Sequence, residues 1–223
     1  MFLSSQHSLM ALYFKDIKDS LQLYIWKCEE TIEELYCLLG DSAPALKKEC
    51  EARFHNETKM QEWLSVRVLL RTVLGDHVTV GYRPNGEPYL TRSRLRVSIS
   101  HTQGYVCIAL HSVRHIGVDI ETFSNRINRL VPRIMHPFEK PFLPLSNDEA
   151  TWYSLIVWSV KESVFKCLDI AILDYHHGIR LEPFRLSKQG DVNVSYHSPH
   201  FCYPIRAHYL CTSSFVLTWC EEL

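Results

Sequence analysis

The sequence lacks the features of several common classes of protein. None of its eight cysteines lies in a CxxC pair, its twelve histidines, including the pair at 176 and 177, match no zinc-ligand spacing, and no apolar run approaches the roughly 20 residues needed to cross a bilayer. The first ten residues lack a basic region followed by a long apolar stretch, and no low-complexity tract appears. We therefore expect a cytoplasmic protein whose cysteines are small buried thiols in a reducing compartment.

An excess of charge of one sign is also absent. The 24 Lys and Arg residues nearly balance the 25 Asp and Glu residues, which gives a formal net charge of -1. Such a balance argues against a global electrostatic field that draws the protein to nucleic acid or to a membrane. We expect neither as a partner, and any binding of an anion must be local.

What the sequence does contain is enough apolar material for a substantial core. Its 223 residues are 46% hydrophobic, and helical and strand-like patterns alternate along the chain. This predicts an α+β fold in two similar halves of about 110 residues, 1–112 and 113–223. The predicted helices lie at 29–39, 44–54, 60–74, 127–135 and 148–168, and the predicted strands at 21–25, 78–83, 97–100, 105–111, 115–120, 178–186, 192–196, 205–211 and 215–220.

Three carboxylates stand where one divalent cation could bind. Asp119 and Glu121 lie two apart in a strand-like run, so their side chains leave the same face of a sheet. Glu162 and Lys166 lie four apart in a helical run and share one face. Mg²⁺ prefers oxygen ligands and completes its shell with water and phosphate, so the set indicates a phosphate-bearing substrate. The alternative is a polar strand face and an ordinary surface ion pair.

Four motifs, in this order, resemble the Sfp-type 4'-phosphopantetheinyl transferases: NGEP at 85–88, SISH at 98–101, GVDIE at 117–121 and WSVKESVFK at 158–166. The resemblance is convincing over residues 60–168, and outside them it is limited to the general α/β pattern. It implies two pseudo-twofold-related α+β halves that bind coenzyme A in the cleft between them, with Mg²⁺ on the pyrophosphate. The implied acceptor is a serine of a carrier protein.

The resemblance also implies roles for individual residues. Asp119, Glu121 and Glu162 match the metal ligands, and Glu162 also matches the base that acts on the serine hydroxyl. Lys166 matches the residue that neutralises or protonates the leaving phosphate. Ser100 and His101 match the block that positions coenzyme A, in which the histidine contacts a phosphate. A turn histidine bonded to nearby backbone is the alternative for His101.

The chain departs from the family at the turn before Pro88. The family usually has a lysine there that contacts the nucleotide, whereas this chain has Glu87. A direct phosphate contact at Glu87 is therefore in doubt, and the turn that contains Glu87 and Pro88 would shape the adenine pocket. The charge could be restored by one of three arginines, Arg83, Arg92 or Arg94.

Two further arginine groups leave alternatives open. Arg67 falls near the apolar stripe of the 60–74 helix, where it is either a coenzyme A contact or a buried structural cation with a partner. Arg126, Arg129 and Arg133 form a basic stripe on the predicted 127–135 helix, either for an acidic partner or as a solvated face. Trp158 and Phe165 are predicted to anchor the 148–168 helix in the core.

The leading hypothesis is an enzyme that transfers the phosphopantetheine arm of coenzyme A to an acyl or peptidyl carrier protein. A monomer would suffice, because two halves already form the cleft. The second hypothesis is a non-catalytic module that binds coenzyme A or a carrier protein. The third is a metal-dependent phosphodiesterase, against which the lack of a second acidic cluster counts.

Overall fold

The computed structural model describes residues 12–18, 20–168, 178–198 and 200–222. His176 and His177 lie outside the described residues, as do residues 1–11, in which the sequence predicts no targeting segment. The chain divides into two compact units, Met1–Val113 and Arg114–Leu223, each with sheets and helices. The fold is therefore α+β, as predicted. Within the described residues, no helix is both long and apolar enough to span a membrane.

The first unit is built on an antiparallel sheet of four strands. Its order is β1 (Leu12–Lys18), β2 (Leu21–Lys27), β6 (Tyr105–His111) and β5 (Arg96–Thr102). A separate pair joins β3 (Val80–Tyr82) to β4 (Pro88–Leu90). Strand β1 has no counterpart in the sequence-based prediction.

Three α-helices complete the described part of the first unit, and short polar signals set their ends. Helix α1 (Ile32–Leu39) starts at Thr31, which forms a capping box with Glu34, and α2 (Ala43–Arg53) carries proline in its first turn. Helix α3 (Glu57–Leu74) starts at Asn56, whose side chain accepts from the Lys59 N–H. It ends at Gly75, whose φ of +84° few other residues adopt. The core lies between α1, α3 and the sheet.

Among its described residues, the second unit has a five-stranded antiparallel sheet and one long helix. The order is β7 (Ile116–Thr122), β11 (Phe215–Glu221), β10 (Cys202–Cys211), β9 (Gln189–His197) and β8 (Ile179–Leu181). Helix α5 (Asn147–Cys167) packs its apolar face, with Val157, Val160 and Val164, on this sheet. Helix α4 (Val131–Ile134) is a single short turn.

Several sequence-based predictions need correction in this region. Residues 127–135 do not form one helix, because a 3₁₀ helix over Asn125–Arg129 precedes the short α4, and Pro132 stands in the first turn of α4. The predicted strand 178–186 is reduced to β8. Phe165 is not a core anchor, since its position on α5 leaves it exposed.

The cysteines are only partly as predicted. All eight are free thiols. Cys50, Cys107, Cys167 and Cys220 are buried, but Cys37 and Cys202 are exposed.

Candidate active site

Alternating residues of β7 face helix α5. Asp119 accepts a hydrogen bond from Ser159 and Glu121 accepts one from Trp158, so both carboxylates lie on the face that the strand period predicts. Gly117 lies two residues before Asp119, and a Cβ on it would stand 1.7 Å from the Ser163 carbonyl oxygen. The missing side chain lets the helix approach the strand at backbone contact. Strand and helix therefore hold the site together directly.

Asp119 is fixed on both of its oxygens. It is 4% exposed; Oδ2 accepts from Ser159 Oγ at 2.8 Å, and Oδ1 lies 2.8 Å from Lys166 Nζ. Lys166 also donates to the Val118 carbonyl at 3.1 Å. Thr218, which pairs with Asp119 across β7 and β11, donates to the Ser159 carbonyl at 2.8 Å. These contacts leave Asp119 little freedom to turn.

Glu121 lies in a less favourable environment. Its Oε1 accepts from Trp158 Nε1 at 2.9 Å. The pKa of Glu121 is raised to about 7, mainly by burial and then by the charge of Asp119 and, more weakly, that of Glu162, while the Trp158 bond and Lys166 act in the opposite direction. Trp158, predicted only as a core anchor, thus also contacts the acidic site. A cation would relieve the repulsion among these carboxylates.

Glu162 is partly buried on α5, and its charge acts on Glu121. Carboxylate oxygens are the donors that Mg²⁺ prefers, so the chemistry of Asp119, Glu121 and Glu162 fits this ion. Among the described residues, however, no group of three or more His, Cys, Asp or Glu side chains is arranged to hold a metal ion. In this arrangement Lys166 bonds to the Oδ1 oxygen of Asp119. The shared metal site stays a prediction.

The residues predicted to position coenzyme A lie in the first unit. Ser100 and His101 stand near the end of β5, Ser100 buried and His101 exposed. His101 Nδ1 lies 3.1 Å from Glu62 Oε2, and Lys59 Nζ lies 2.8 Å from the same oxygen. Glu62 is almost fully buried on α3. A carboxylate therefore stands beside the histidine, which the sequence pattern did not indicate.

The turn before β4 neutralises its own charge. Glu87 Oε2 lies 3.0 Å from Arg83 Nε, and the Glu87 N–H donates to Asn85 Oδ1 at 3.1 Å. Gly86, with φ of +88°, closes the turn, and Pro88 begins β4. Arg83 is thus the arginine that offsets Glu87, and among the ion pairs of the described residues neither Arg92 nor Arg94 pairs with Glu87.

Arg67 lies on a different side of α3 from Glu62. Five residues on a helix correspond to a rotation of about 140°, so a side chain at 67 points away from His101. The guanidinium is buried, donates to the Trp63 carbonyl at 2.9 Å and lines a cavity to which Ser100 and His101 do not contribute. The prediction of a coenzyme A contact stays a prediction.

Sequence reasoning missed the role of Lys161. Its side chain is 0% exposed and its Nζ lies 2.8 Å from both Glu139 Oε2 and the Ile134 carbonyl. Glu139 in turn accepts from the N–H groups of His136 and Leu181, at 2.7 and 2.8 Å. The pair ties α5 to the preceding loop and to β8. The apolar residues near Lys161 in the motif were the one sequence feature that could have indicated its burial.

The basic stripe is interrupted. Arg126 and Arg129 lie in the 3₁₀ helix and Arg133 in α4, all three exposed. They do not share a single helix face.

The comparisons with known proteins agree with part of the resemblance. No curated protein is similar enough to the chain to count as a match. Residues 115–220, which include β7, α5 and the acidic site between them, match the family model of the 4'-phosphopantetheinyl transferase superfamily.

Proposed function

We propose that the protein is an Sfp-type 4'-phosphopantetheinyl transferase. It would transfer the phosphopantetheine arm of coenzyme A to a serine of an acyl or peptidyl carrier protein and release adenosine 3',5'-bisphosphate. The match of residues 115–220 supports the reaction class. The observation that carries the proposal is the contact of Lys166 with Asp119, which lies beside Glu121 on β7. Lys166 is on the same helix as Glu162. The Lys166 ammonium and these carboxylates are therefore the groups that would neutralise the charge of the pyrophosphate, directly or through a bound metal ion.

Asp119, Glu121 and Glu162 would hold Mg²⁺ through their carboxylate oxygens. When bound there, the ion neutralises the negative charge of the pyrophosphate. Two features of the site support this assignment: hard oxygen donors, and a Glu121 whose pKa is raised by burial and by the negative charge of Asp119. Lys166 already offsets part of that charge at Asp119.

The chain's own residues would move the protons. Glu162 accepts the proton of the serine hydroxyl as the serine oxygen bonds to phosphorus and the phosphorus–oxygen bond of the pyrophosphate breaks. Lys166 neutralises or protonates the departing phosphate. Its bonds to Asp119 and to the Val118 carbonyl hold the ammonium in position. Placing both substrates in line contributes as well, since effective molarities can supply roughly 7 kcal/mol or more.

Ser100 and His101, with the turn at Glu87 and Pro88, would bind coenzyme A. Because Arg83 neutralises Glu87, the turn would shape the adenine pocket without adding net negative charge. Arg67 is left out of this set, since its cavity excludes Ser100 and His101. The proposal further includes a cleft between two pseudo-twofold-related halves, a monomer and a cytoplasmic location.

The direct test incubates the protein with an apo carrier protein, coenzyme A and Mg²⁺. The mass of the carrier protein is then measured for the addition of one phosphopantetheine. Glu162→Gln is expected to lower turnover by about 10²- to 10⁴-fold, the usual contribution of a general base, while coenzyme A binding stays measurable by calorimetry.

Glu149→Gln is the matched control, because Glu149 is an exposed glutamate in the first turn of the same helix. It should leave turnover unchanged. Unchanged turnover in Glu162→Gln would remove the base assignment, and failure of the wild type to modify carrier proteins of the acyl and peptidyl types would refute the transferase.

A second candidate is a module that binds coenzyme A or a carrier protein without catalysis. The observation that favours it is the Glu62 carboxylate, which bonds to His101 at the proposed phosphate contact, together with the loss of the usual lysine at position 87. Such a module would bind coenzyme A in calorimetry but leave the mass of the carrier protein unchanged. The same incubation therefore separates the two functions.

A further inference from the structure

A cavity of about 300 Å³ lies in the first unit, between the end of α1, helices α2 and α3 and the segment before β3. That volume is at the lower end of the range for small-molecule sites. Leu46, Leu70, Val78 and Val80 give the cavity an apolar part, and the rest of its lining includes charged side chains, among them Arg67 and Glu49. Such a cavity suits a ligand with a short hydrocarbon part.

Arg67 brings a buried positive charge to this cavity. The residue is 8% exposed, and its guanidinium carbon lies 3.1 Å from the centre of the Trp63 ring. One nitrogen donates to the Trp63 carbonyl, and Tyr82 lies close enough to favour the charged form of Arg67. In the part of the chain that the structure describes, no carboxylate forms an ion pair with Arg67. Its nearest partners are therefore neutral groups, while the Glu49 carboxylate lines the same cavity without pairing with it.

This environment is costly for a cation. Burial lowers the pKa of Arg67 to about 10, and the charge of Glu49 on α2 offsets only part of that effect. A guanidinium carries five N–H donors in a planar fork, and the Trp63 and Tyr82 contacts leave part of the fork available. A carboxylate bonded to the fork would supply both hydrogen-bond acceptors and the missing negative charge.

Arg71, one turn further along α3, shows what a satisfied arginine looks like in the same cavity. It donates to the Leu39 carbonyl at 2.7 Å and pairs with Asp76 Oδ2 at 3.0 Å. Arg71 is therefore committed to holding the end of α1 and the loop after α3. Arg67, by contrast, is not committed to such an ion pair, so its guanidinium is available to pair with a ligand.

We propose that this cavity binds a small organic carboxylate, with its carboxylate on Arg67 and its alkyl or aryl part against Leu46, Leu70, Val78 and Val80. A monoanion is favoured over a phosphate dianion, because part of the wall is apolar and the Glu49 carboxylate also lines the cavity. This site is separate from Ser100 and His101. The inference does not depend on the proposed transfer reaction.

The experiment uses hexanoate as the probe, with hexanamide as a neutral ligand of nearly the same shape. Thermal unfolding of the full chain is followed with each compound. Hexanoate at ten times its dissociation constant is expected to raise the midpoint by roughly 3 °C, and hexanamide at the same concentration to have no such effect. Equal responses to the two, or none to hexanoate, would overturn the proposal.

Two variants locate the binding. Arg67→Met keeps an unbranched side chain over Trp63 but removes the charge, and it should lose the hexanoate response. Lys48→Met removes one positive charge from an exposed position on α2 that does not line the cavity, and it should keep the response. A response retained in Arg67→Met would overturn the assignment. If Arg67→Met does not fold, the wild-type comparison of hexanoate with hexanamide decides alone.

Discussion

Replacing Gly117 by alanine tests whether the acidic site depends on direct contact between β7 and α5. The added Cβ would stand 1.7 Å from the Ser163 carbonyl oxygen and 2.7 Å from the Cys167 nitrogen. Both are backbone atoms of a helix whose neighbouring turns are buried, so neither can swing aside as a side chain would. A carbon and a carbonyl oxygen normally approach to no less than about 3.3 Å. Strand and helix would have to separate by roughly 1.5 Å.

The sign of the change in the free energy of unfolding on Gly117→Ala shows whether β7 and α5 are in direct contact. Where space allows, a change from glycine to alanine stabilises a protein by about 0.4–1 kcal/mol, because the unfolded chain has less conformational freedom. Overpacking a core costs about 1–3 kcal/mol, and a backbone overlap of this size places Gly117→Ala at the upper end, near 3 kcal/mol. We therefore expect a clear loss of stability.

The assay is urea unfolding of the whole chain followed by tryptophan fluorescence, to which Trp152, Trp158 and Trp219 of the second unit contribute. Gly178→Ala is the control, since the nearest atom to its Cβ would be a side-chain carbon of Tyr196 at 3.1 Å, and its effect should stay within about 1 kcal/mol. If Gly117→Ala matches or exceeds the wild type in stability, the close contact is not real. A displaced α5 would also carry Glu162 and Lys166 away, and a shift of about 1 Å can cost 10²-fold in rate.

Three further predictions concern charged groups. In EDTA, the free energy of unfolding of Glu121→Gln should equal that of the wild type at low pH and exceed it by roughly 3 kcal/mol above pH 7, as measured by chemical unfolding. The reason is that the pKa of Glu121 rises from 4.5 to about 7 on folding, so the ionisation of Glu121 over that interval destabilises only the wild type. Lys161→Met should cost about 3–5 kcal/mol, because it leaves Glu139 buried without its cation, and an unchanged urea midpoint would contradict this. Glu62→Gln should tighten coenzyme A binding about fivefold, or roughly 1 kcal/mol, in calorimetry if His101 contacts a phosphate; weaker binding would argue against that contact.

The arrangement of the acidic site was largely predictable, because it follows from local periods. A strand period of two places Asp119 and Glu121 on one face, and a helix period of 3.6 places Glu162 and Lys166 on another. The structure has the strand and helix at nearly the predicted residues and packs the strand face that carries both carboxylates on the helix. Periodicity predicts well which side chains share a face of a helix or strand, because that depends only on spacing within one helical turn or two strand positions.

Pairings between distant residues were not predictable in the same way. Glu62 and His101 are 39 positions apart, and nothing in either segment indicates that one carboxylate meets that imidazole. Glu139 lies in a proline-rich loop, where a charged residue is ordinarily solvated, yet it is buried against Lys161. Such contacts depend on how whole elements pack, and a single sequence carries little information on this. Strand β1 was missed for a related reason, since half-exposed edge strands give weak apolar patterns.

The motif at 158–166 contains two lysines, and their surroundings assign them different tasks. Lys161 is fully buried and bonded to Glu139, so it cannot reach a substrate without the loss of a buried ion pair. Lys166 also contacts a carboxylate, but 27% of its side chain is exposed, and a partly solvated ion pair is worth far less. Lys166 can therefore meet an incoming phosphate from its exposed side while it stays bonded to Asp119. A lysine that must respond to charge on a transferred group needs this accessibility, and Lys166 is the lysine of the motif that has it.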